Sequence, residues 1–490
     1  MTLLRSKIGR IERFRTAHNP EAADMTDTVP ARKPSARKPS ARPPSARARD
    51  SAIGTYRHKR SLTDIGLGLL GPLISREFLD RHKLRDPFNR GLKFGVTRVF
   101  AAAGATTRQF TKIQGIGKPP IRLEPTTSEY FDLTPDDDQK MIVETVNEFA
   151  EEFLRPAARD ADEAAASPSE LMAKAAELGI TAIKVPEEFD GIAENRTCVT
   201  SALVAEALAY GDMGLALPIL APGGVASALT RWGTADQQAT YLREFAGESV
   251  PQACVAIVEP HPLFDPTELR TTAVRTPSGY RLDGVKSLVP AAATCELFVV
   301  AAQLNGRPAM FIVEASSQGV TVTADRSMGI RAAALGQVEL NQVSVPLDAR
   351  LGTDADYSDA IALSRLGWAA LAVGTCHAVL DYVIPYVKER EAFGEPIARR
   401  QSVAFMCADI AIELDGLRLV TWRGAARAER GLPFAREAAL ARRLAADKGM
   451  RIGLDGVQLL GGHGYTKEHP VERWYRDLRA VGVAEGVVVL

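Results

Sequence analysis

The sequence predicts an α+β protein whose body runs helices first, strands second and helices again last. Three observations predict it. Apolar residues recur at helical spacing from Thr134 to about residue 248. Short β-branched runs separated by turn residues fill about 251 to 352. Helical spacing then returns from about 357 to 460.

The first 60 residues read differently from the body. MTLLRSKIGRIERFRTA is Arg-rich and faintly amphipathic. It reads as a mitochondrial-type presequence or, the favoured alternative, as sequence preceding a start at Met25. ARKPSARKPSARPPSARAR follows with a period of five, and Asp50 is the only acid from Arg32 to Arg60. Proline recurs too often for a helix and there is nothing to bury, so 1–60 is expected to be a disordered basic tail. A weak electrostatic hold on anionic lipid or nucleic acid is the sharper alternative. Residues 61–127 have modest helical periodicity and read as an accessory helical extension.

The body begins at Thr134-Pro135-Asp136-Asp137, where an N-cap, a proline and first-turn acids predict a helix start. Ile142, Val146, Phe149 and Phe153 define its buried face, and helical patterning continues through Leu171–Leu178, Cys198–Tyr210 and Asp236–Phe245. Strands are expected at Ala253–Val258, Leu297–Ala301, Met310–Glu314, Val320–Thr323 and Gln337–Leu340, with turns at Asp283-Gly284 and Asn305-Gly306. The expected domains are 128–250, 251–352 and 353–490.

Lys plus Arg and Asp plus Glu both number 60, so net charge does not point to a specific nucleic-acid partner. Five cysteines are scattered, without CxxC or a histidine at ligand spacing. That argues against a metal site or a disulfide framework and for a reducing compartment. No apolar run is read as reaching membrane-spanning length: Ile65–Ile74 and Phe94–Ala105 are short and the second contains Arg98. The expectation is a soluble protein without a transmembrane segment.

The closing stretch, QLLGGHGYTKEHPVERWYRDLRAVGVAEG, carries the most chemistry. Gly461, Gly462 and Gly464 close a helix and bring backbone against a flat or charged surface. A basic, aromatic helix leads to Glu485 among Val481, Val483, Ala484, Val487 and Val488. Apolar surroundings disfavour the charged carboxylate and suit a general base near neutrality.

These blocks resemble the acyl-CoA dehydrogenase family over about residues 128–490. The resemblance rests on VPEEFDG (Val185–Gly191), AEALAYGD (Ala205–Asp212), GTADQQATYL (Gly233–Leu242), DGVK (Asp283–Lys286), MGIR (Met328–Arg331), REAFGEPIARRQ (Arg390–Gln401) and the closing stretch. It implies a helical N-terminal domain, a central β-barrel or sandwich and a C-terminal four-helix bundle. It also implies FAD and α,β-dehydrogenation of an acyl-CoA thioester to a trans-2-enoyl-CoA, the base taking the α-proton and flavin taking the β-hydride. Glu485-Gly486 after Arg476-Asp477-Leu478-Arg479 matches the family's late base, with both residues facing substrate. The alternative base position is Ser364, which cannot serve.

Arg390 and Phe393 of the RxxFG motif, Gln401, and Gln458, Gly461 and Gly462 of QxxGG are implied to grip the pyrophosphate and adenosine of FAD. A dinucleotide shared across a subunit boundary implies a homo-oligomer, a dimer or tetramer. Electron-transfer flavoprotein is the implied acceptor, in a bacterial cytoplasm or, in a eukaryote, the mitochondrial matrix.

The ring-facing motifs depart from the pattern. VEPHPLFD puts Val258 where a threonine hydroxyl usually faces the flavin, and LVPA puts Pro290, without an N–H, where a threonine usually stands. Ala484 replaces a common aromatic residue before the base. The chain stops at Leu490, before relatives usually end, which is expected to leave the Glu485 segment less anchored. Three assignments stay open: a working FAD-dependent enzyme, one subunit of a hetero-oligomer with a paralogue, or a flavin-poor acyl-CoA-binding scaffold.

Deleting residues 1–60 is expected to leave turnover of an acyl-CoA intact in a steady-state assay. Loss of turnover would give the basic tail a role in the reaction.

Overall fold

The computed structural model describes residues 133–193, 198–247 and 249–490. The tail expected over 1–60 and the extension expected over 61–127 lie outside the described residues.

Helix α1 spans Asp137–Phe149, two residues later than Thr134 predicted. Asp136 is the N-cap: it accepts from the Gln139 N–H, and Gln139 reaches back in a capping box. A π-helical turn, Ala150–Leu154, leads into α2 (Arg155–Ala164), and α3 (Ser169–Glu177) follows. Then come α4 (Cys198–Gly211), α5 (Met213–Trp232) and α6 (Ala235–Tyr241).

Helix α5 carries Pro218, Pro222, Gly223 and Gly224 inside its 20 residues. Burial decides the outcome: the helix is apolar all round and enclosed by protein, so tertiary packing overrides propensity. Helix α5 and the later helix Asp354–Glu389 are long and apolar enough to cross a membrane, and 94% and 61% of their apolar windows are buried inside the protein. The reading that no apolar run reaches that length therefore fails on composition.

The central domain has β1 (Ala253–Ala256), β2 (Thr272–Thr276), β3 (Gly279–Val289), β4 (Leu297–Leu304), β5 (Arg307–Glu314), β6 (Val320–Ala324), β7 (Gly336–Pro346) and β8 (Arg350–Leu351). They pair in the order β6-β7-β3-β2-β4-β5-β8, with β1 parallel to β4. Strands β2 and β3 escaped the sequence reading because Asp283-Gly284 was read as a turn. It sits inside β3 at a register shift against β7, where Gly284 packs on Thr271 at φ +151°. Asn305-Gly306 is the turn expected, with both φ positive between β4 and β5.

The C-terminal domain comprises α7 (Asp354–Glu389), α8 (Gln401–Glu429), α9 (Ala435–Leu459) and the short α10 (Val471–Ala480). Helix α7 packs against α4 of the first domain as well as α8 and α9.

Helix α10 ties the domains together through charge. Arg473 Nε donates to Asp212 at 3.0 Å, and Arg476 forks onto both oxygens of Asp162 at 3.0 and 2.8 Å. Asp477 accepts the backbone N–H of Ile330 from the central domain. Burial, with the Asp212 carboxylate nearby, pushes the Asp477 carboxyl up to about 8.

The native state therefore favours the protonated form of Asp477 more than the unfolded chain does. Its contribution is largest below the ordinary Asp value of 3.8 and is lost as pH rises towards about 8. Asp477→Asn keeps an acceptor for Ile330 but cannot ionise. It is expected to flatten the fall of the urea midpoint between pH 5 and 8, and an unchanged slope would contradict the assignment.

Candidate active site

The last seven residues, Ala484–Leu490, are all buried, so the segment is not the loosely anchored end expected from sequence. Backbone groups fasten it. The Gly486 N–H donates to Ser364 Oγ at 2.7 Å, and its carbonyl accepts from Ser364 Oγ and Trp368 Nε1 at 3.1 and 3.0 Å. The Val487 N–H donates to the Val255 carbonyl at 3.0 Å, tying the segment to β1. Gly486 takes φ +76°, and a Cβ there would lie 2.6 Å from the Val255 carbonyl, so only glycine fits.

Glu485 is 5% exposed. Its polar contacts come from other helices. Arg365, from the middle of α7, forks onto it: Nε and Nη2 reach Oε1 at 3.1 and 2.9 Å, and Nε reaches Oε2 at 3.3 Å. Arg442 of α9 stands 3.6 Å from Oε1 and donates to the carbonyls of Val481 and Ala484. Burial pulls the Arg442 guanidinium below its ordinary value, against the pull of Glu485. The expectation of a carboxylate among apolar groups alone is thus corrected. The fork from Arg365 fixes the direction of the carboxylate. Oε1 takes the closer contacts, which leaves Oε2 the freer oxygen.

Five of the residues expected to grip a dinucleotide meet at one cavity of about 650 Å³, lined by Arg390, Phe393, Gln458, Gly461 and Gly462 among others. Gln401, the first residue of α8, is exposed and does not line it. Phe393-Gly394 forms a two-residue turn with both φ positive, between Glu391–Ala392 and Glu395–Pro396. That turn leaves the Phe393 ring 94% exposed, with the Arg400 guanidinium 5.4 Å from its centroid. Arg400, Tyr386 and His463 also line the cavity and were missed by motif matching. Gly461 closes α9 at φ +58°, and a Cβ on Gly461 or Gly462 would meet nothing within 4 Å.

Val258 and Pro290 are both buried in the central domain. The Val258 carbonyl accepts the Ser287 N–H, and the Pro290 carbonyl accepts the Cys295 thiol. Leu288 and Ala291 flank Pro290 at φ +56° and +47°, so this loop keeps a strained backbone without glycine. Beneath Val258 lies a buried pair, Lys286 Nζ to Glu259 Oε1 at 2.9 Å. Burial alone would raise Glu259, but the Lys286 ammonium and the Thr271 donors bring its carboxyl down to about 2. Among the described residues no group of three His, Cys, Asp or Glu is placed to hold a metal ion.

Comparison with known proteins decides the family. The acyl-CoA dehydrogenase N-terminal, middle and C-terminal domain profiles match residues 136–249, 254–343 and 356–487. The chain belongs to the acyl-CoA dehydrogenase family. An acyl-CoA dehydrogenase of Bacillus subtilis is 30% identical over 71% of this chain and 94% of its own length. The short-chain-specific enzyme of Megasphaera elsdenii is 29% identical over 73% and 96%. The butyryl-CoA dehydrogenase structure from Megasphaera elsdenii superposes with a TM-score of 0.67 at 28% identity, covering 72% of this chain and 95% of that one. The dehydrogenase is therefore an oxidoreductase with the helical, β and helical domains its sequence predicted.

Arg442→Met would leave the Val481 and Ala484 carbonyls unpaired beside Glu485. The expected cost is about 2–3 kcal/mol in urea denaturation, from burying unsatisfied acceptors. A change below about 0.5 kcal/mol would mean that water replaces the guanidinium there.

Proposed function

We propose that this acyl-CoA dehydrogenase oxidises an acyl-CoA thioester to the trans-2-enoyl-CoA with Glu485 as the α-proton base. The observation that carries the reading is the pairing of buried Glu485 with Arg365 directly beside Ser364, the family's other base position. Serine at 364 leaves the proton to Glu485. Its Oε2 takes the α-proton, while Oε1 stays against Arg365 and Arg442. Arg365 thus orients the base, touching the working oxygen only through the longer Nε contact at 3.3 Å.

The adenosine and pyrophosphate end fits FAD: Arg390 and Arg400 supply two guanidiniums, and the open backbone at Gly461-Gly462 admits a flat group. Bound FAD would supply the acceptor for the β-hydride, and electron-transfer flavoprotein is the acceptor proposed beyond it. A homo-oligomer, dimer or tetramer, is supported by the exposed Phe393 and by an apolar stripe of Phe405, Ile412 and Leu419 along α8. Val258 and Pro290 favour one alternative, a hetero-oligomer with a paralogue that carries the hydroxyl and N–H missing here. A flavin-poor scaffold has no observation of its own.

Glu485→Gln is expected to leave FAD retention unchanged and to slow exchange of the α-proton of bound butyryl-CoA by about 10²–10⁴-fold. Unchanged exchange would remove Glu485 from the reaction.

A further inference from the structure

One group at the proposed dinucleotide cavity has no part in the motifs that predicted it. His463 stands in the 3₁₀ turn Gly461–Tyr465 that closes α9, and it lines the cavity beside Gly462. The side chain is exposed, yet its setting is fixed. A Cβ on Gly464 would lie 2.2 Å from the Val457 carbonyl, so the turn is pressed against the last turn of α9. The His463 carbonyl accepts from the N–H and the hydroxyl of Thr466 at 3.1 and 2.9 Å.

The imidazole is held through one nitrogen. Tyr386 of α7 donates its hydroxyl hydrogen to the Leu460 carbonyl at 3.4 Å, and its oxygen lies 3.1 Å from His463 Nδ1. With that hydrogen committed, the oxygen accepts from Nδ1–H. The one proton of the neutral ring is then used on Tyr386, and Nε2 donates only when the ring is charged. Among the described residues Nε2 has no partner. His469, whose Nδ1 meets the Tyr382 hydroxyl at 2.7 Å, sets its ring 5.9 Å from that of His463 and 5.7 Å from that of Tyr386, and buttresses both. Charge along the cavity has one sign. Arg390, Arg400 and His463 line it, and no carboxylate does. Glu395, outside the lining, stands 3.4 Å from Arg400. The titratable groups that face the imidazole itself are Tyr386 and His469.

We propose that His463 is a third anion-binding group of this cavity, and that it reaches the pyrophosphate of the dinucleotide only as a charged imidazole, so that the hold on the ligand loosens as pH rises. The proposal rests on the reading of this cavity as the seat of the pyrophosphate and adenosine of FAD. Histidine is the side chain whose charge changes between about pH 5 and pH 8. In the complex Nδ1–H stays on Tyr386 and the added proton, on Nε2, is donated to a phosphate oxygen as a charge-assisted hydrogen bond. Because the complex holds one more proton than its separated parts, affinity falls as pH rises.

The test is equilibrium binding of FAD to the full-length protein at constant ionic strength from about pH 6 to about pH 8.5. Calorimetry in two buffers of different ionisation enthalpy reads proton uptake directly. FAD is expected to bind about tenfold more weakly at the upper end, and binding to take up a proton. His463→Gln is expected to hold FAD weakly at every pH, and His463→Lys to hold it within about threefold of the natural protein's low-pH affinity at every pH. The dinucleotide's pyrophosphate stays fully ionised throughout, so a slope that both variants remove belongs to His463. FAD affinity that does not change with pH, or a slope that persists in either variant, would overturn the proposal and leave the cofactor reading standing. Failure of FAD to bind at any pH would overturn both.

Discussion

The arrangement depends on one short run of backbone shared by all three domains. Both polar groups of Gly486 are taken by Ser364 and Trp368 of α7, and the next N–H is taken by β1. Lys184 of the first domain holds the carbonyl of Val489. Each of these groups is buried, so each would cost free energy if left unpaired. The glutamate one residue before this junction inherits its position from it. Helix α10 supplies the approach, fixed to Asp212 and Asp162 on one side and to the Ile330 amide on the other.

Chemistry follows from that placement. A carboxylate delivered between α7 and α9 meets Arg365 and Arg442, and the two guanidiniums keep it aimed. The dinucleotide end is built separately, from the turn after α7 and the end of α9, where Arg390 and Gly461-Gly462 face one cavity. The loops proposed to face the flavin ring carry Val258 and Pro290, which lack the hydroxyl and the N–H that the family pattern places there. The dehydrogenase has a strongly held Glu485, the proposed base, and an altered pair of loops at its proposed cofactor.

Much of this was legible in the residues. Helical and strand periodicity gave the order of helices, strands and helices, and Arg390, Phe393, Gln458, Gly461 and Gly462 of the family motifs line one cavity because each motif is a local turn or helix end. What was not legible depended on distant partners. Helix α5 runs through Pro218, Pro222 and the Gly223-Gly224 pair because other elements enclose it, which no local pattern shows. Glu485 looked apolar because its neighbours along the chain are valines and alanines, whereas its polar partners lie on other helices. A usable signal existed for Arg365: it is the one arginine or lysine in the apolar run Ala360–Val379 of α7. Arg442 had none, since it stands in an ordinary basic, alanine-rich helix.

The central claim is that this chain holds its own flavin beside a functioning base. The most direct measurement is the visible spectrum of the purified full-length protein, incubated with FAD, freed of excess cofactor and titrated anaerobically with acyl-CoA thioesters. The account predicts a yellow protein whose flavin band bleaches in proportion to added thioester. A colourless protein, or a yellow one whose spectrum no thioester changes, would contradict it.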